Sequence, residues 1–357
     1  MRAARFHDTR DVRVEDIEAP VQTGDKVLVQ VEWCGICGSD LHEYTHGPFG
    51  TSTKERGPHP LTGDPGPVVL GHEFTGRIAH TQAGSQLEEG QLVVVDPRIH
   101  CSDCRACNED AGQCCRMPGF LGFSGGGGGL SEIVAVDPKK VHVLPDGTDL
   151  AAAALIEPLA VAWHAVRRLG PADFAGLPVL VLGGGPVGVA VVFVLRALGA
   201  DKIILSEPTA ARRVFFEPLV LDSINPLEVD VTKRVRELTG RDGVDFVVDC
   251  AGAERGFIVG CESLRYRGVY ANLALPKTDL ALPSLAFILK ELTYRAFLAY
   301  GEKDFAETVA AFTAGRFKGV EKMITSRLSL DEIVDKGFEV LIGDSQDEIK
   351  ILASPKR

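Results

Sequence analysis

The chain has 357 residues, of which 45% are hydrophobic and 24% are charged, and its formal net charge is −11. This length exceeds the size at which one hydrophobic core usually stops growing, so two domains are expected. The acidic balance argues against a nucleic acid or an anionic membrane as a partner, because either would need a basic surface.

The N-terminal segment, residues 1–16, has no apolar core of the kind found in signal peptides, and it contains acidic residues early. No apolar run reaches the ~18 residues of a membrane-spanning helix. These features predict a cytoplasmic protein with no membrane partner. In a reducing compartment, clustered cysteines are expected to bind metal or to act in catalysis rather than to form disulfides.

Short β-branched runs separated by Gly- and Pro-rich turns fill the first third of the chain. No long helical period interrupts them, so they predict short antiparallel strands. The pattern favours a β-barrel or sandwich whose loops carry the function. The predicted strands are KVLVQVEW at 26–33, TGRIAH at 75–80, QLVVVDP at 91–97 and LSEIVAV at 130–136.

Strands alternate with helices after residue 150. DLAAAALIEPLAVAWHAVRR at 149–168 predicts a helix with one proline, and LPVLVLGGGPVG at 177–188 predicts a strand, a Gly-rich turn and a helix start. Gly199 closes this second helix. Further strands are predicted at GVDFVVDCAG, residues 243–252, and GVYANLA, residues 268–274. This alternation predicts a parallel sheet in an α/β domain.

The last part of the chain combines a predicted helix, EKDFAETVAAFTAG at 302–315, with a last strand, EIKILAS at 348–354. We expect this tail to return to the first domain. Residues 1–158 and 297–357 are therefore assigned to one discontinuous domain, and residues 159–296 to the inserted α/β domain.

The turn GGGPVG contains the pattern G-x-G-x-x-G as Gly183, Gly185 and Gly188. The first glycine makes the tight turn, the second lets a pyrophosphate approach the backbone, and the third lets helix and strand pack closely. Pro186 and Val187 begin the helix whose free N–H groups would bind the diphosphate. Because an apolar strand precedes the motif and an apolar helix follows it, we favour a nucleotide site over a Gly-rich turn without ligand.

Glu207 ends the next predicted strand. A carboxylate there can accept hydrogen bonds from ribose hydroxyls and repels a 2′-phosphate, which favours NAD over NADP. Arg212 and Arg213 follow closely and would weaken that preference. Pro218, further along, predicts a break in the helix after Glu207. A second Gly-rich run, GFSGGGGGL at 122–130, precedes a strand rather than a helix, so we interpret it as a flexible loop without a phosphate.

Five of the nine cysteines lie in HCSDCRACNEDAGQCC, residues 100–115. Four thiolates in one short lobe suit a closed tetrahedral zinc site. An iron–sulfur cluster is the alternative, but it favours Cys-Pro at the last ligand, and Arg116 follows here. Cys114 is interpreted as a spare thiol, although the choice between it and its neighbour stays open. The predicted zinc ligands are Cys101, Cys104, Cys107 and Cys115.

A closed four-thiolate site cannot bind substrate, so a zinc enzyme would need a second, open site. WCGICGSDLHEY places Cys37, Ser39, Asp40 and His42 in one predicted Gly-rich turn. VVLGHEFTG places His72 and Glu73 after an apolar strand, and LIEPLA places Glu157 among apolar residues. One thiolate, one imidazole and one or two carboxylates would leave a coordination position open.

Each of these residues also has a purely structural interpretation. Cys37 alone would be a small buried residue, His72 a hydrogen-bonded core histidine and Glu157 a carboxylate at a helix start. We favour the metal site because all three accompany a predicted cofactor domain.

The motifs CGICGSDLHEY, GHEFTG, the four-cysteine lobe, EPLAVAWHA and GGGPVG occur in this order along the chain. In this the chain resembles the zinc-dependent medium-chain alcohol dehydrogenases over essentially its whole length. Within the family, MRAARFH, PHPLTGD, GGGLSE and ALIEPLAVAWHAV are most similar to 2,3-butanediol dehydrogenases, and next to sorbitol dehydrogenases. The resemblance implies a GroES-like, β-rich catalytic domain and a Rossmann cofactor domain, hence the α/β class.

The resemblance also implies roles for the matching positions. Cys37, His72 and Glu157 would bind the catalytic zinc, and Glu73 would be a neighbouring carboxylate or an exchanging ligand. Asp40 would orient the zinc ligands. Ser39 and His42 would relay the proton of the alcohol towards solvent. The remaining cysteines Cys34, Cys250 and Cys261 would lie in the hydrophobic core.

We therefore expect two zinc ions per chain, NAD as cofactor, and hydride transfer from a secondary alcohol such as a vicinal diol. A polyol of the sorbitol or xylitol type, or a non-catalytic nucleotide-binding relative, is the alternative. The resemblance implies a homodimer or homotetramer. Candidates to line the substrate pocket are Tyr44, His59, Phe120 and Tyr300.

Overall fold

A computed structural model describes residues 1–48, 50–53, 55–275, 279–343 and 347–356. The chain forms two compact units. The first unit comprises Met1–Glu157, Gly301–Gly315 and Gly319–Arg357, and the second comprises Pro158–Tyr300 and Arg316–Lys318. Within the described ranges, no helix is both long enough and apolar enough to cross a membrane.

The strands follow in chain order. They are β1 Arg2–Asp8, β2 Asp11–Asp16, β3 Val27–Gly35, β4 Val68–Val69, β5 Glu73–His80, β6 Leu92–Val95, β7 Arg98–Ile99, β8 Gly119–Phe120, β9 Ile133–Val136, β10 Val141–Val143, β11 Val179–Leu182, β12 Ile203–Ser206, β13 Asp222–Ile224, β14 Val244–Asp249, β15 Leu264–Asn272, β16 Thr293–Ala296, β17 Ile324–Ser329 and β18 Lys350–Ser354.

The α-helices are α1 Gly38–His46, α2 Arg105–Asn108, α3 Leu150–Ala153, α4 Ile156–Arg167, α5 Pro186–Ala197, α6 Ala210–Phe216, α7 Val231–Leu238, α8 Glu254–Ser263, α9 Ser284–Lys290, α10 Glu302–Thr313 and α11 Glu339–Ile342. Short 3-10 segments occur at Gly112–Cys114, Pro138–Lys140, Val320–Met323 and Leu330–Glu332, and a π-helical segment occurs at Ile333–Phe338.

The first unit is built on a mixed sheet with the strand order β10-β6-β5-β3-β18-β17, in which β9 also pairs with β3. Its pairs are antiparallel except for β17 and β18. Val27, Val29 and Val31 of β3 are fully buried because alternate residues of a strand face the same side. The predicted antiparallel, β-rich unit is therefore present.

The last strand lies beside the first long strand of this sheet. Leu352 of β18 faces Gly35 of β3, and on the other edge of β3 the same Gly35 faces Glu73 of β5. The start of β18, the end of β3 and the start of β5 are thereby brought together, which matters for the site below.

The second unit contains a parallel sheet with the order β13-β12-β11-β14-β15-β16. From β11 the chain runs outward to β13 on one side and then from β14 to β16 on the other. Dinucleotides bind where the strand order reverses, at the carboxyl ends of the central strands. The fold class predicted from the alternating pattern is confirmed.

Several local predictions are decided by the structure. The predicted Gly-rich turn around Ser39 is wrong in part, because helix α1 begins at Gly38. Helix α6 ends at Phe216, two residues before Pro218, since proline lacks an N–H and restricts the preceding residue. In the run at 122–130, a Cβ on Gly128 would lie 2.4 Å from the backbone oxygens of Val69, at the end of β4, and of Leu70. Those glycines therefore allow close packing rather than the flexibility that we expected.

Two candidate metal centres and a nucleotide-binding loop

The start of helix α1 holds the first group of candidate residues. Cys37 is its N-cap residue, and its backbone N–H donates to the Asp40 carboxylate at 2.9 Å. An acidic side chain at the third helical position satisfies a free N–H and suits the positive end of the helix dipole. This arrangement orients the Cys37 thiol. It also places the fully buried Asp40 carboxylate beside His72.

The turn before β5 holds the second group, His72 and Glu73. Gly71 has φ +93°, which favours glycine, and a Cβ there would lie 2.6 Å from the Cys34 sulfur. Gly35 makes room in the same way, because a Cβ on it would lie 2.1 Å from a Glu73 carboxylate oxygen. Both side chains of this second group are buried.

Cys37, His72 and Glu73 meet in one cluster. One potential ligand atom from each lies within 4.8 Å of the others. Glu157, in the first turn of α4, is buried, but in the described part of the chain its carboxylate does not join this group. The structure therefore brings two of the three predicted ligands together and adds the neighbouring glutamate instead of the third.

The environment of His72 fits a cation. Its Nδ1 lies 3.6 Å from Asp40 Oδ1, and neither buried atom has a hydrogen-bond partner among the described residues. Burial alone would lower the pKa of His72, but Asp40 and Cys37 raise it well above its ordinary value. A thiolate, an imidazole oriented by a carboxylate, and a second carboxylate form a donor set that suits zinc.

Ser39 and His42 extend from this cluster along α1. The Ser39 hydroxyl lies 3.3 Å from His72 Nε2, and His42 stacks on His46 with ring centroids 4.8 Å apart. Ser39 is half-buried, and His42 is exposed. Their positions are compatible with proton transfer from the buried cluster to the surface.

Lys350, at the start of β18, is a residue that the sequence analysis missed. Its Nζ donates to both Glu73 oxygens at 2.8 and 2.7 Å and to the carbonyl of Ile36 at 3.0 Å. Burial alone would lower its pKa, but Glu73, Cys37 and Glu157 raise it. The sequence feature that could have identified it is the single lysine in the otherwise apolar run IKILA, residues 349–353.

The aromatic surroundings differ from those predicted. Phe123, which the sequence analysis missed, lies with its ring centroid 4.6 Å from that of His72, and the predicted Phe120 lies at 6.2 Å. Tyr44 is not at the cluster. It belongs to the core of the first unit, and its hydroxyl donates to Glu339 at 2.6 Å. Burial and that carboxylate raise the pKa of Tyr44 to about 12.

The two remaining pocket candidates are also accounted for. His59 lies 3.2 Å from the carbonyl of Pro118 through Nε2, and Tyr300 is fully buried at the end of the second unit's main segment. Cys34 and Cys261 belong to the two hydrophobic cores, while Cys250 is half-buried after β14.

The cysteine lobe forms a second cluster. The thiols of Cys101, Cys104, Cys107 and Cys115 lie within 4.8 Å of one another. Cys115 is buried, with its sulfur 3.4 Å from that of Cys101, whereas Cys114 is exposed. Backbone N–H groups of Arg116 and Cys107 lower the pKa of the Cys104 thiol to about 6, which favours the thiolate that a metal requires.

The Gly-rich turn after β11 has the geometry of a nucleotide-binding loop. Gly183 has φ +92°, and a Cβ on Gly188 would lie 2.0 Å from the Gly183 carbonyl oxygen. Gly185 is the N-cap of α5, and Pro186 and Val187 form its first turn. The three glycines of the motif therefore lie where a turn, a phosphate and a close packing contact would need them.

Glu207 lies directly after β12 and contacts this loop. Its carboxylate accepts hydrogen bonds from the N–H groups of Gly184, at 2.6 Å, and Thr209, at 2.7 Å. Arg212 has a buried Nε without a hydrogen-bond partner in the described part of the chain, and its guanidinium lies near Gly185. Arg213 instead donates to the backbone carbonyls of Glu207 and Pro208.

Comparison with known proteins agrees with this geometry. The family model for the alcohol dehydrogenase GroES-like domain matches residues 23–146, and the model for zinc-binding dehydrogenases matches residues 186–314. An (R,R)-butanediol dehydrogenase of Neisseria gonorrhoeae is 37% identical over 99% of each chain. A sorbitol dehydrogenase of Bacillus subtilis is 30% identical over 100% of this chain and 98% of its own. The crystal structure of 2R,3R-butanediol dehydrogenase from Bacillus subtilis superposes with a TM-score of 0.91 at 34% identity, covering 99% of both chains.

A β-rich unit with a cluster of a half-buried thiol, a buried imidazole and a buried carboxylate, in one chain with a parallel nucleotide-binding sheet, defines a zinc-dependent oxidoreductase that uses a nicotinamide cofactor. The chain belongs to the zinc-binding alcohol dehydrogenase family. The resemblance stated from the sequence motifs is thereby confirmed.

Proposed function

We propose that this enzyme oxidises a vicinal diol, 2,3-butanediol, to the hydroxyketone with NAD as acceptor, and that it catalyses the reverse reduction of acetoin. The observation that carries the proposal is the meeting of the half-buried Cys37 with the buried His72 in a chain that is similar to butanediol dehydrogenases from end to end. The similarity to a sorbitol dehydrogenase over the same length makes a polyol the second candidate substrate.

The catalytic zinc would be held by Cys37 and His72 together with Glu157, with Glu73 next to it. When bound, zinc supplies Lewis acidity that lowers the pKa of an alcohol hydroxyl, and the nicotinamide takes up the hydride. Asp40 lies beside Nδ1 and orients the imidazole, so that Nε2, which neighbours the Ser39 hydroxyl, is the nitrogen that would bind the metal. Phe123 and Phe120 shield the imidazole from water, which strengthens the electrostatic effect of the site.

Ser39 accepts the proton that leaves the alcohol, and His42 passes it to solvent. Two features support this order, since Ser39 contacts His72 and His42 lies three residues further along the same helix, exposed to water. Residues at i and i+3 lie on one face of a helix, so a hydroxyl and an imidazole in that spacing can form a relay.

The second zinc would be held in the lobe of Cys101, Cys104, Cys107 and Cys115. Four thiolates leave no position for substrate, so its role is to stabilise the lobe. The total is two zinc ions per chain. Cys114, exposed beside the cluster, is spare.

NAD is the proposed cofactor because Glu207 stands at the end of β12, where a 2′-phosphate would meet a carboxylate. The Gly-rich turn and the first turn of α5 bind the diphosphate through backbone N–H groups. Arg212, whose Nε has no hydrogen-bond partner in the described ranges, is the group that would weaken the preference for NAD over NADP.

We also propose that the chain forms a homodimer or homotetramer through the outer edge of the second unit. All four residues of β16, the edge strand, are exposed, and Leu285, Ile288 and Leu289 of the neighbouring α9 are each at least 70% exposed. An uncovered edge strand beside exposed leucines is a surface that a second copy can cover. Sedimentation velocity tests this, because Ile288→Lys should favour monomers whereas Val214→Lys, at an exposed valine of helix α6, should not.

The substrate proposal is tested by initial rates of NAD⁺ reduction with (R,R)-, (S,S)- and meso-2,3-butanediol beside sorbitol. A clear rate with one butanediol isomer supports the proposal and gives the stereochemistry. A rate with sorbitol alone would assign the polyol reaction to the same residues, and no rate with any of them in a chain carrying two zinc ions would contradict the proposal.

A further inference from the structure

Asp249, the last residue of β14, carries a carboxylate inside the second unit, with 1% of the residue exposed. Its Oδ1 accepts hydrogen bonds from the backbone N–H groups of Ala251, at 2.9 Å, and Gly252, at 3.0 Å. Its Oδ2 accepts a hydrogen bond from the hydroxyl of Tyr270, in β15, at 2.8 Å. A buried carboxylate must be compensated by hydrogen bonds or by a cation, and these three donors supply the hydrogen bonds.

The sheet and helix α8 fix the position of the tyrosine. Tyr270 faces Val247 across the two strands, and Val247 and Asp249 lie on the same side of the sheet because alternate residues of a strand do so. A Cβ on Gly260 of α8 would lie 2.6 Å from the Tyr270 ring, so this glycine makes room for the side chain. Burial and Asp249 raise the pKa of Tyr270, which keeps its hydroxyl protonated as a donor.

The turn that Asp249 holds, residues 250–252, lies against the Gly-rich turn after β11. A Cβ on Gly183 would lie 3.0 Å from the Cβ of Ala251. The two turns follow β11 and β14, the neighbouring strands between which the strand order of the second unit reverses. Dinucleotides bind in the crevice at this reversal, so the conformation of the turn affects the cofactor site.

The two halves of such a sheet bind different parts of a dinucleotide. A doubly wound sheet consists of two mononucleotide-binding halves, one on each side of the reversal. Glu207 follows β12 on one side, and it is the residue that we assign to the ribose of the adenosine. The turn held by Asp249 and Tyr270 follows β14 on the other side. It therefore belongs to the half that binds the nicotinamide nucleotide.

We propose that Asp249 and Tyr270 are positioning residues for the nicotinamide half of the cofactor, because together they fix the turn at 250–252 beside the Gly-rich turn. The tyrosine hydroxyl orients the carboxylate, and the carboxylate orients two N–H groups of the turn. Loss of the hydroxyl leaves a buried carboxylate oxygen without this donor, which costs more than the net worth of the hydrogen bond. The inference rests on the cofactor site proposed above.

Calorimetric titration with NADH and with 5′-AMP tests the proposal, because 5′-AMP occupies the adenosine half alone. Tyr270→Phe should weaken NADH binding about tenfold, the lower range for a hydrogen bond to a charged group, and should leave 5′-AMP binding unchanged. Tyr266→Phe is the matched control, since Tyr266 lies in the same strand but is exposed. Equal losses of affinity for both ligands, or an unchanged affinity for NADH, would overturn the proposal.

Two substitutions at Asp249 test whether the tyrosine acts through the carboxylate. Asp249→Asn keeps an oxygen for the turn and an amide that can bind the tyrosine hydroxyl, so it should retain most of the affinity for NADH. Asp249→Ala removes both acceptors and should weaken NADH binding at least as much as Tyr270→Phe. Adding Tyr270→Phe to Asp249→Ala should cause no further loss, because the two groups act as one unit. Additive losses would contradict the proposal.

Hydrogen exchange examines the same turn without any ligand. In the free protein, the N–H groups of Ala251 and Gly252 should exchange faster in Tyr270→Phe than in the wild type, whereas those of α5 should not change. Unchanged exchange at the turn would overturn the proposal, and this measurement decides the question even if Asp249→Ala folds poorly. A wild-type chain that binds NADH but oxidises no diol would contradict the proposed reaction, and the affinities and exchange rates would still decide the role of the pair.

Discussion

The two candidate metal centres lie in the same unit but are built in different ways. The cysteine lobe takes all its ligands from residues 101–115, near the surface, where a 3-10 turn and the short helix α2 bring the thiols together. The open cluster takes its residues from the start of α1, the start of β5 and β18, and all of them except the half-buried Cys37 are buried. Local sequence is sufficient for a closed site, whereas an open, buried site needs the assembled sheet.

The two centres also differ in how their charged groups are compensated. The thiolates of the lobe are near solvent and are accompanied by exposed charges such as Arg116, which pairs with Asp103. In the open cluster it is instead a buried lysine, 2.7 Å from the carboxylate, that compensates the charge. Buried charges must be paired, and this requirement recruits a residue 277 positions away in the chain.

The largest effect should come from Cys37→Ala, which removes a ligand of the open centre only. We expect kcat to fall by ~10³-fold or more, since Lewis-acid stabilisation contributes about 4 kcal/mol or more to the barrier. Zinc content should fall from two ions to one, and the melting temperature should change little. An unchanged metal count would break the distinction between the two centres.

The closed centre should respond in stability instead. Cys115→Ala should lower the free energy of unfolding by about 3–5 kcal/mol, because a structural metal site is part of the folding free energy. The adjacent Cys114→Ala is the matched control and should leave both melting temperature and zinc content unchanged. Equal effects of the two variants would mean that the buried and exposed thiols are interchangeable, against their observed positions.

A smaller effect on rate is expected from Ser39→Ala at the open centre. Loss of the hydroxyl beside His72 should lower kcat by about 100-fold, the lower range for loss of a proton-transfer group. The zinc content should stay at two. Ser85→Ala, which removes a hydroxyl at an exposed position of the same unit, is the control. Pre-steady-state measurements should show slower proton release in Ser39→Ala, and a normal rate there would assign the serine a purely structural role.

The smallest of these effects concerns the nucleotide-binding loop. Like the cysteine lobe, this loop is formed by residues that are close together in the sequence. Glu207→Gln should raise the KM for NAD about tenfold and improve use of NADP, because a charged hydrogen-bond acceptor is worth about 1.5–3 kcal/mol. Arg212→Ala should weaken NADP use selectively. Calorimetric titration with 2′,5′-ADP and with 5′-AMP separates the contributions of Glu207 and Arg212 to binding. Equal losses of affinity for both ligands would contradict a role in 2′-phosphate discrimination.

The comparison also shows what sequence patterns can predict. The parallel sheet, the Gly-rich turn and the cysteine lobe were predictable because each depends on residues within one strand, turn or short loop. Helix α1 was missed because GSDLHEYTH contains a glycine and polar residues without a clear apolar period, although Asp40 at its third position was a capping signal. The hydrogen bond of Tyr44 could not be predicted because its partner, Glu339, is in a remote segment.

The sequence by itself determined the alternation of strands and helices in the second unit, the nucleotide-binding turn, the four-thiol cluster and the presence of Cys37 and His72 in one kind of site. Only the tertiary structure decided that Phe123 lies against His72, that Cys115 rather than Cys114 joins the cluster, and that Glu73 is paired with Lys350. The reason is physical. Local preferences act over a few residues, whereas burial and charge compensation depend on which distant segments the folded sheet brings into contact.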